Sequence, residues 1–542
     1  MRGFRFRIGA VLVAATALTG CSDAPAEWRG RESSPPARSG GVLRLFSEAP
    51  DSLDPTDVAS VYDSLPVNQL FDGLVAINPS LNVVPALAET WTISRDGLVY
   101  TFRLRAGVTF HDGSPLSAED VVFTFRHALD PKRERPSSVG PYLACLRGAA
   151  DFSAGRRPDL PGVAALDDRT VRIELAQPRP TFLEILAVDY LRVVPRDAFT
   201  RLGAERFRRQ PVGTGPFRFK GWTETRLELE ANPAHFSGAP RLAGVTIGFP
   251  APGERDLGAA RFERGEIDAF EPNAEILEKL SRRSDVAVFR FHELNLSFLG
   301  LGTGHPPFHD PLVRQAVAHA IDREGIAALS PTARRPAQGI LPPGLPAYSP
   351  QPKALAHDPA RARALLAQAG YPGGRGLPRV KIYTSVGTAR SRETDRRIAA
   401  DLEAAGFRVD IQEIGWAEMS RRTEDHDAQA FLIGWVADIP DPDAFLATLF
   451  EPETSSNYFS FRDDAVATLL RAGARETHPV SRARIYRDVE RRILELAPVV
   501  PLYHTVGALA CRRGTHGLEP GPLGLASLDL ENVWIEENAA WR

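Results

Sequence analysis

From about residue 300 onward, helix signals and strand signals alternate along the chain. Three helix starts in this part use the same device, at Asp310-Pro311, Asp358-Pro359 and Asp441-Pro442. Aspartate at the N-cap accepts hydrogen bonds from the free N–H groups of the first turn, and proline suits the first helical position because it has no N–H. Helices that alternate with short apolar strands are typical of an α/β domain. This alternation limits the possible folds more than any other feature of the sequence.

The earlier part of the chain carries a different signal. Asp96-Gly97 separates two runs of alternating polarity, residues 91–94 and 99–104, which predicts a β-hairpin. A capping-box pattern at Ser117 and Asp120 then opens a helix. With 542 residues the chain is too long for one hydrophobic core, so two or three domains are expected.

The N-terminus is typical of an export signal. Three arginines precede a short apolar run, residues 8–18, which is too short to span a bilayer, so residues 1–20 are interpreted as a signal peptide. The run ends in Leu18-Thr-Gly-Cys21, which is similar to the lipobox of bacterial lipoproteins. That resemblance implies cleavage before Cys21 and lipid attachment to its sulfur, whereas an ordinary secretory signal is the alternative. Residues 21–40 are rich in Pro, Ser and charge and predict a flexible tether.

Several classes of function leave no trace in the sequence. A net charge of −3 and a pI near 6.5 give no electrostatic signature of a nucleic-acid partner. Neither G-x-S-x-G nor H-E-x-x-H occurs, and the 12 histidines are scattered along the chain, so we expect no enzyme, no cofactor and no metal site. The pair His111-Asp112 suggests catalysis at first sight, but without a nucleophile motif a structural turn is the preferred interpretation.

Apart from Cys21, the chain has two cysteines, Cys145 and Cys511. They are far apart in sequence and have no metal-ligand spacing. An extracytoplasmic location would permit a disulfide between them. Because nothing in the sequence indicates their separation in space, we treat both as buried thiols.

The stretch around Asp438 is the main candidate for a binding site. Residues 430–433 are apolar and predict a buried strand, after which Asp438 lies close to Trp435. In open α/β sheets ligands bind outside the carboxyl ends of the strands, which favours a ligand-facing carboxylate. An Asx-turn that closes the loop is the structural alternative. Asp441 and Asp443 have structural roles instead, because they lie at the N-cap and in the first turn of the next helix.

Gly434-Trp435, Asp438 and Asp441-Pro442-Asp443 together resemble the ligand-binding loop of the peptide/nickel family of ABC-importer solute-binding proteins, family 5. Two further segments are similar to that family, residues 211–217 (Pro-Val-Gly-Thr-Gly-Pro-Phe) and residues 265–268 (Gly-Glu-Ile-Asp). The resemblance covers nearly all of residues 41–542 in the same order. It implies an α/β fold of the class II periplasmic-binding-protein type, with two lobes around a cleft and an additional third domain.

The resemblance also implies the domain boundaries. Domain I, the first lobe, would be assembled from residues 41–84, 205–300 and 498–542. Domain II, the extra domain, would span residues 85–204, and domain III, the second lobe, residues 301–497. In residues 211–217, Gly213 and Gly215 permit unusual backbone conformations and lie where the chain recrosses into the first lobe. A hinge is the preferred interpretation of these glycines, since no lysine or helix start follows as in a phosphate-binding loop.

For a peptide ligand, the resemblance assigns the α-ammonium group to Asp438. The backbone of residues 434–436 (Gly434, Trp435 and Val436) is expected to pair with the peptide as a strand would. Arg390 follows the predicted strand at residues 380–384 and is the candidate cation for the peptide carboxylate, with a solvated arginine as the alternative.

The function implied is that of an extracytoplasmic lipoprotein, in the periplasm or on the cell surface, that binds di- or oligopeptides and delivers them to an ABC permease. The expected partners are a small peptide, the permease subunits and the membrane through the lipid anchor, with no nucleic acid, and a monomer is expected. The same fold with a nickel chelate, haem, an opine or an oligosaccharide as ligand is the main alternative. A secreted hydrolase and a chaperone-like lipoprotein are the more distant ones.

Overall fold

The computed structural model describes residues 40–135, 137–251, 258–350, 356–387, 389–524 and 527–536, with side chains omitted at 389 and 390. The predicted signal peptide and the lipid site Cys21 therefore lie outside the described residues, as do residues 21–39 of the predicted tether. Within the described ranges, no helix combines the length and the apolar character that crossing a membrane requires.

The described residues form twenty β-strands. In chain order they are β1 (Val42–Phe46), β2 (Val75–Ile77), β3 (Val83–Pro85), β4 (Ala88–Ile93), β5 (Val99–Leu104), β6 (Val163–Asp167), β7 (Thr170–Glu174), β8 (Phe217–Trp222), β9 (Arg226–Ala231), β10 (Gly244–Gly248), β11 (Ala269–Phe270), β12 (Val286–His292), β13 (Asn295–Leu301), β14 (Arg334–Pro336), β15 (Val380–Ser385), β16 (Val409–Ile414), β17 (Ala430–Val436), β18 (Val499–Arg512), β19 (Thr515–His516) and β20 (Trp534–Ile535).

The α-helices of the same residues are α1 (Val61–Leu70), α2 (Ala118–Leu129), α3 (Gly140–Leu143), α4 (Ala149–Ser153), α5 (Phe182–Leu186), α6 (Arg196–Leu202), α7 (Ala204–Arg209), α8 (Gly258–Glu263), α9 (Ala274–Leu280), α10 (Pro311–Ala320), α11 (Arg323–Ala328), α12 (Pro359–Gln368), α13 (Ala389–Ala405), α14 (Trp416–Glu424), α15 (Leu446–Phe450), α16 (Asp464–Gly473) and α17 (Pro479–Leu496). Asp310 and Asp358 cap α10 and α12, as predicted, and Asp441 caps a 3-10 turn, Pro442–Ala444, that leads into α15. The predicted capping box of Ser117 and Asp120 opens α2.

Three sheets carry the fold. Strands β1, β10, β9 and β8 form one sheet, in which β1 and β10 are parallel. The predicted hairpin of β4 and β5 belongs to an antiparallel sheet in the order β4-β5-β7-β6. The third and largest sheet has the order β11-β18-β13-β17-β15-β16, and here β17, β15 and β16 run parallel as the helix–strand alternation predicts. The prediction of a mixed α/β fold is confirmed.

Strand β18 is longer than the sequence predicts. The prediction ends the last strand at Tyr503, whereas β18 continues to Arg512. Its first part pairs with β13 and its second part pairs with β12, so one strand runs through two groups of partners. Gly507 lies within the second part. A glycine is needed at this position because a Cβ would come within 2.4 Å of the Phe291 ring. Ring and glycine are more than 200 residues apart, which is why sequence spacing does not reveal the pairing.

The apolar core is divided among clusters that follow these sheets. One cluster surrounds the sheet of β1, β10, β9 and β8 and includes Cys511. A second packs α10, α12 and α13 on the parallel part of the large sheet. The largest cluster extends without interruption from the β4-β5-β7-β6 sheet, with Cys145, to α15 and α17. Both cysteines are buried free thiols in different clusters, as predicted.

Gly213 and Gly215 pack directly against the end of α1. A Cβ on Gly213 would lie 2.0 Å from the carbonyl oxygen of Leu70, and one on Gly215 would lie 2.4 Å from that of Gln69. Neither glycine is among those with positive φ, so close backbone approach explains them and unusual dihedral angles do not. His111 fixes the same segment, because its N–H donates to the Gly213 carbonyl and its Nδ1 accepts from the Gly213 N–H. The His111 turn is therefore structural.

Gly213→Ala should lower the free energy of unfolding by about 1–3 kcal/mol, the usual range for overpacking, because the backbone around Leu70 has to move. Urea denaturation followed by circular dichroism measures the change. Gly221→Ala is the matched control, since the nearest atom to its Cβ lies at 3.8 Å. Equal stability of both variants would contradict the packing argument.

Glu184 has a buried carboxyl oxygen and lies in α5, whose apolar side chains belong to the largest core cluster. This oxygen, Oε2, has no hydrogen-bond partner among the described residues. Burial raises the pKa of Glu184 to about 7, and the charge of Asp441 adds to this, while Arg482 opposes it. A glutamate with a raised pKa in the folded state stabilises the fold below its unfolded value and loses that contribution as pH rises.

The free energy of unfolding should therefore fall as the pH rises from 5 to 8, by at most about 3 kcal/mol. The reason is that the pKa of Glu184 is 4.5 in the unfolded chain and about 7 in the folded protein. Glu184→Gln removes the ionisable group and should flatten the dependence of the unfolding free energy on pH in this window. Glu403→Gln, at an exposed position of α13, should leave the wild-type pH dependence in place. A Glu184→Gln profile parallel to the wild type would show that this carboxyl group does not titrate there.

Candidate functional site: a carboxylate-lined cavity at the end of β17

A cavity of about 520 Å³ lies where the large sheet meets the N-terminal segments of the fold. Its wall is formed by six separate stretches of the chain. They contribute Val58–Val61, Ser64, Asn68–Gln69, Phe71–Asp72, Ala76–Ile77, Ala86, Ser138, Ala187–Tyr190, Arg192, Pro216, Val436–Asp438, Leu523, Ser527–Asp529 and Glu531. The cavity is therefore assembled only by the tertiary fold.

Asp438 lies on the cavity wall two residues beyond the end of β17, and its residue is exposed. The Tyr142 hydroxyl donates a hydrogen bond of 2.5 Å to Asp438 Oδ2. Among the described residues, no backbone N–H of its own turn donates to this carboxylate, so the Asx-turn alternative is not formed. The position is the one that the end of a strand in an α/β sheet predicts.

A second tyrosine and a second carboxylate lie beside Asp438. Tyr190 stacks on Tyr142 with ring centroids 6.4 Å apart. Burial raises the pKa of Tyr190 well above its ordinary value, and the nearby charges of Asp438 and Asp189 raise it further. Burial also raises the pKa of Asp189, with a smaller contribution from Asp438. Both tyrosines are therefore neutral donors next to an acidic wall.

Of the other residues predicted to bind the ligand near Asp438, one lines the cavity and two do not. Val436 is 62% exposed and lines the cavity, whereas Gly434 and Trp435 are not part of the described lining. The indole Nε1 of Trp435 donates to the Ala444 carbonyl at 2.7 Å and so ties β17 to the following turn. Trp435 thus has a structural contact that the sequence analysis did not predict.

The end of β17 offers a backbone edge. Residues 430–432 pair with β15 on one side, and the whole strand pairs with β13 on the other. For residues 433–436, no described strand occupies the β15 side. Unpaired N–H and C=O groups at a strand edge are available to an extended peptide.

An apolar rim accompanies this edge. Because β15, β16 and β17 are parallel, their carboxyl ends lie at one edge of the sheet. Val386 and Trp416 follow β15 and β16 there and are each 65% exposed, like Val436 at the end of β17. Val386 and Trp416 are not part of the described cavity lining.

Arg390 is the cation predicted for the carboxylate of a peptide ligand. Arg390 belongs to α13, but its side chain lies outside the described residues. The arginine on the described cavity wall is Arg192, whose Nε and Nη2 donate to Asn68 Oδ1 at 3.0 and 2.7 Å. No group of three or more His, Cys, Asp or Glu side chains is arranged as metal ligands within the described ranges.

The loop that carries Asp438 is anchored by a buried ion cluster. Arg482 pairs with both oxygens of Asp441, and its Nη2 lies 3.3 Å from Asp443 Oδ2. The Tyr486 hydroxyl donates to Asp443 Oδ1. The predicted structural roles of the two aspartates are confirmed, but their partners on α17 could not be read from the local sequence.

Comparison with known proteins identifies the chain. The family model for bacterial extracellular solute-binding proteins, family 5 (middle), matches residues 82–457. Di/tripeptide-binding protein 2 of Pseudomonas aeruginosa (strain UCBPP-PA14) is 29% identical over 507 residues, 89% of this chain and 93% of the relative. Heme-binding protein A of Haemophilus influenzae (strain ATCC 51907 / DSM 11121 / KW20 / Rd) is 30% identical over 478 residues, 84% of this chain and 85% of the relative.

A solved structure extends this comparison to the fold. The ABC transporter-associated periplasmic binding protein DppA from Helicobacter pylori, in complex with the peptide STSA, is 28% identical and superimposes with a TM-score of 0.77. The match covers 92% of this chain and 99% of that protein. The predicted two-lobe periplasmic-binding-protein fold is confirmed. The chain belongs to the bacterial extracellular solute-binding proteins of family 5.

Proposed function

We propose that this protein is the substrate-binding lipoprotein of an ABC importer, which captures short peptides in its cleft and delivers them to the permease. The observation that carries the proposal is Asp438, an exposed carboxylate on the wall of a 520 Å³ cavity, next to an unpaired stretch of β17. A peptide presents the complementary groups, an α-ammonium group and an extended backbone.

The α-ammonium group would lie at Asp438, where Tyr142 holds the carboxylate in place. A charged donor next to a carboxylate forms the stronger kind of hydrogen bond. The peptide backbone would continue along residues 434–436, and Arg390 is the proposed cation for its carboxylate. The cavity volume lies within the range of small-ligand sites, which suits a ligand of a few residues.

Haem is the second candidate, because one relative is named a haem-binding protein. The described lining contains no His, Cys or Met to serve as an axial ligand, and its one tyrosine, Tyr190, lies beside the Asp438 carboxylate. It does contain five carboxylates, which would face the two propionates of haem. Like charges at close range disfavour binding, so the cavity supports a peptide ahead of haem.

The predicted domain boundaries are retained as part of the proposal. Domain I would comprise residues 41–84, 205–300 and 498–542, with domain II at 85–204 and domain III at 301–497. The change of partners along β18, from β13 to β12, suits a strand that lies near a crossing between lobes. Gly213 and Gly215 remain a proposed hinge segment, although their tight packing on α1 also explains them.

Asp438→Asn should weaken the binding of an unblocked dipeptide or tripeptide by about 30-fold or more, because the ligand cation loses its charged partner in a closed cleft. Isothermal titration calorimetry measures this. N-acetylation of the peptide should weaken binding to the wild type but not weaken it further in the variant, since both changes remove the same ion pair.

Asp425→Asn is the control for this experiment. Asp425 is exposed at the end of α14, where it pairs with Arg421, and it does not line the cavity. Its replacement should leave peptide affinity unchanged. Normal binding by Asp438→Asn, or tolerance of acetylated peptides by the wild type, would reject the role of Asp438 as the ammonium partner.

The lipid anchor is proposed from Leu18-Thr-Gly-Cys21 behind a basic N-terminal region. Cys21→Ala removes the sulfur that would carry the lipid, so the variant should move from the membrane fraction to the soluble extracytoplasmic fraction. Cell fractionation with immunoblotting measures the shift, and loss of metabolic labelling with a palmitate analogue confirms its cause. If wild type and variant are equally soluble, the signal is an ordinary secretory one.

A further inference from the structure

The described cavity wall carries more negative than positive charge. Its lining includes five carboxylates, of Asp72, Asp189, Asp438, Asp529 and Glu531, and one arginine, Arg192. Asp438 is assigned to the ligand ammonium in the proposed function. The negative charges of the other four carboxylates have to be balanced by groups of the protein or by groups of the ligand.

Arg192 accounts for two of them. Burial lowers the pKa of Arg192, whereas the charges of Asp189 and Asp72 raise it. The side chain is held by Asn68, so it is directed at this part of the wall. Arg192 therefore partly offsets the charge of Asp72 and Asp189, which leaves Asp529 and Glu531.

His235 is a buried histidine that lies between Asp72 and Glu531. Its side chain is 2% exposed, with Nε2 at 3.5 Å from Asp72 and Nδ1 at 3.7 Å from Glu531. Neither ring nitrogen forms a hydrogen bond with a described residue. Burial lowers the pKa of His235, but the two carboxylates outweigh burial and raise it to about 9. With a carboxylate within 4 Å of each ring nitrogen, this buried imidazole lies in a negative surrounding.

Even with this protonated histidine, charge compensation at Glu531 and Asp529 is incomplete. His235 is shared between Asp72 and Glu531. The Glu531 N–H donates to Asp529 Oδ1 at 2.8 Å, and among the described residues no cationic side chain forms an ion pair with Asp529. The side chain of Glu531 is 24% exposed, and Asp529 is an exposed residue on the cavity wall. Both carboxylates are thus accessible to a ligand group.

We infer that the cavity selects peptides with a second cationic group, a lysine or arginine side chain that binds at Asp529 and Glu531. This inference rests on the proposed function, because it takes the peptide and its ammonium position at Asp438 as given. Two neighbouring carboxylates suit an ammonium or a guanidinium group, which donates to both and removes their mutual repulsion.

Calorimetric titration of the mature protein with Ala-Ala-Lys and Ala-Ala-norleucine tests the inference, because the two side chains have the same carbon stem and only lysine carries a charge. The lysine peptide should bind about tenfold more tightly or better, as expected for a partly desolvated ion pair. Ala-Ala-Glu should bind more weakly than either. The lysine advantage should shrink as the salt concentration rises.

Glu531→Gln and Asp529→Asn should each reduce the ratio of the lysine affinity to the norleucine affinity by about threefold or more. The ratio is measured within one protein, so a general effect of the substitution on folding or closure cancels. Asp425→Asn should keep the wild-type ratio, because Asp425 is remote from the cavity lining.

The two levels of the proposal fail differently. Equal affinity of the wild type for the lysine and norleucine peptides overturns the cationic selectivity and leaves peptide binding intact. A wild-type lysine advantage that neither variant reduces overturns the assignment to Asp529 and Glu531. Binding of none of the three peptides by the protein overturns the peptide function itself, and the selectivity with it.

Discussion

The position of Asp438 depends on one buried ion cluster. Arg482 is held between Asp441 and Asp443, and Tyr486 closes the cluster with its hydroxyl group. Burying two carboxylates and a guanidinium is costly unless every group has partners, and here Arg482 also donates to the Gly473 carbonyl. If Arg482 were absent, two buried carboxylates would face each other, so the turn could not keep its shape. The short loop from Val436 to Asp441 is thereby fixed at its far end.

The same cluster connects the site to the long strand. Arg482 and Tyr486 belong to α17, which leads through Pro498 directly into β18. Strand β18 pairs first with β13 and then with β12, while β13 also pairs with β17, the strand that precedes Asp438. A helix, a turn and two neighbouring strands therefore share one rigid frame. A shift along β18 would change the position of the Asp438 carboxylate together with the strand edge beside it.

Local sequence signals predicted the helices and strands, whereas long-range contacts determine which residues surround Asp438. The hairpin of β4 and β5 and the Asp-Pro helix starts were predictable because their hydrogen bonds join residues close in sequence. The position of Asp438 at the sheet edge was predictable because this residue follows a predicted strand. Tyr142 reaches Asp438 from 296 positions away, and no spacing rule links such residues. The apparent loop at Gly434 is part of β17 because β13 pairs with it, a partner that the sequence analysis did not identify.

The charges on the cavity wall also bear on closure. Asp438 follows β17, whereas Asp529 and Glu531 belong to the C-terminal segment, and all three line one cavity. Repulsion among carboxylates in a narrow space opposes the approach of the segments that carry them. A ligand that places positive charge between them removes this repulsion, and it does so more in a closed cleft, where less water screens the groups. Such a ligand would bind a closed arrangement better than an open one, and this difference in affinity would shift the equilibrium.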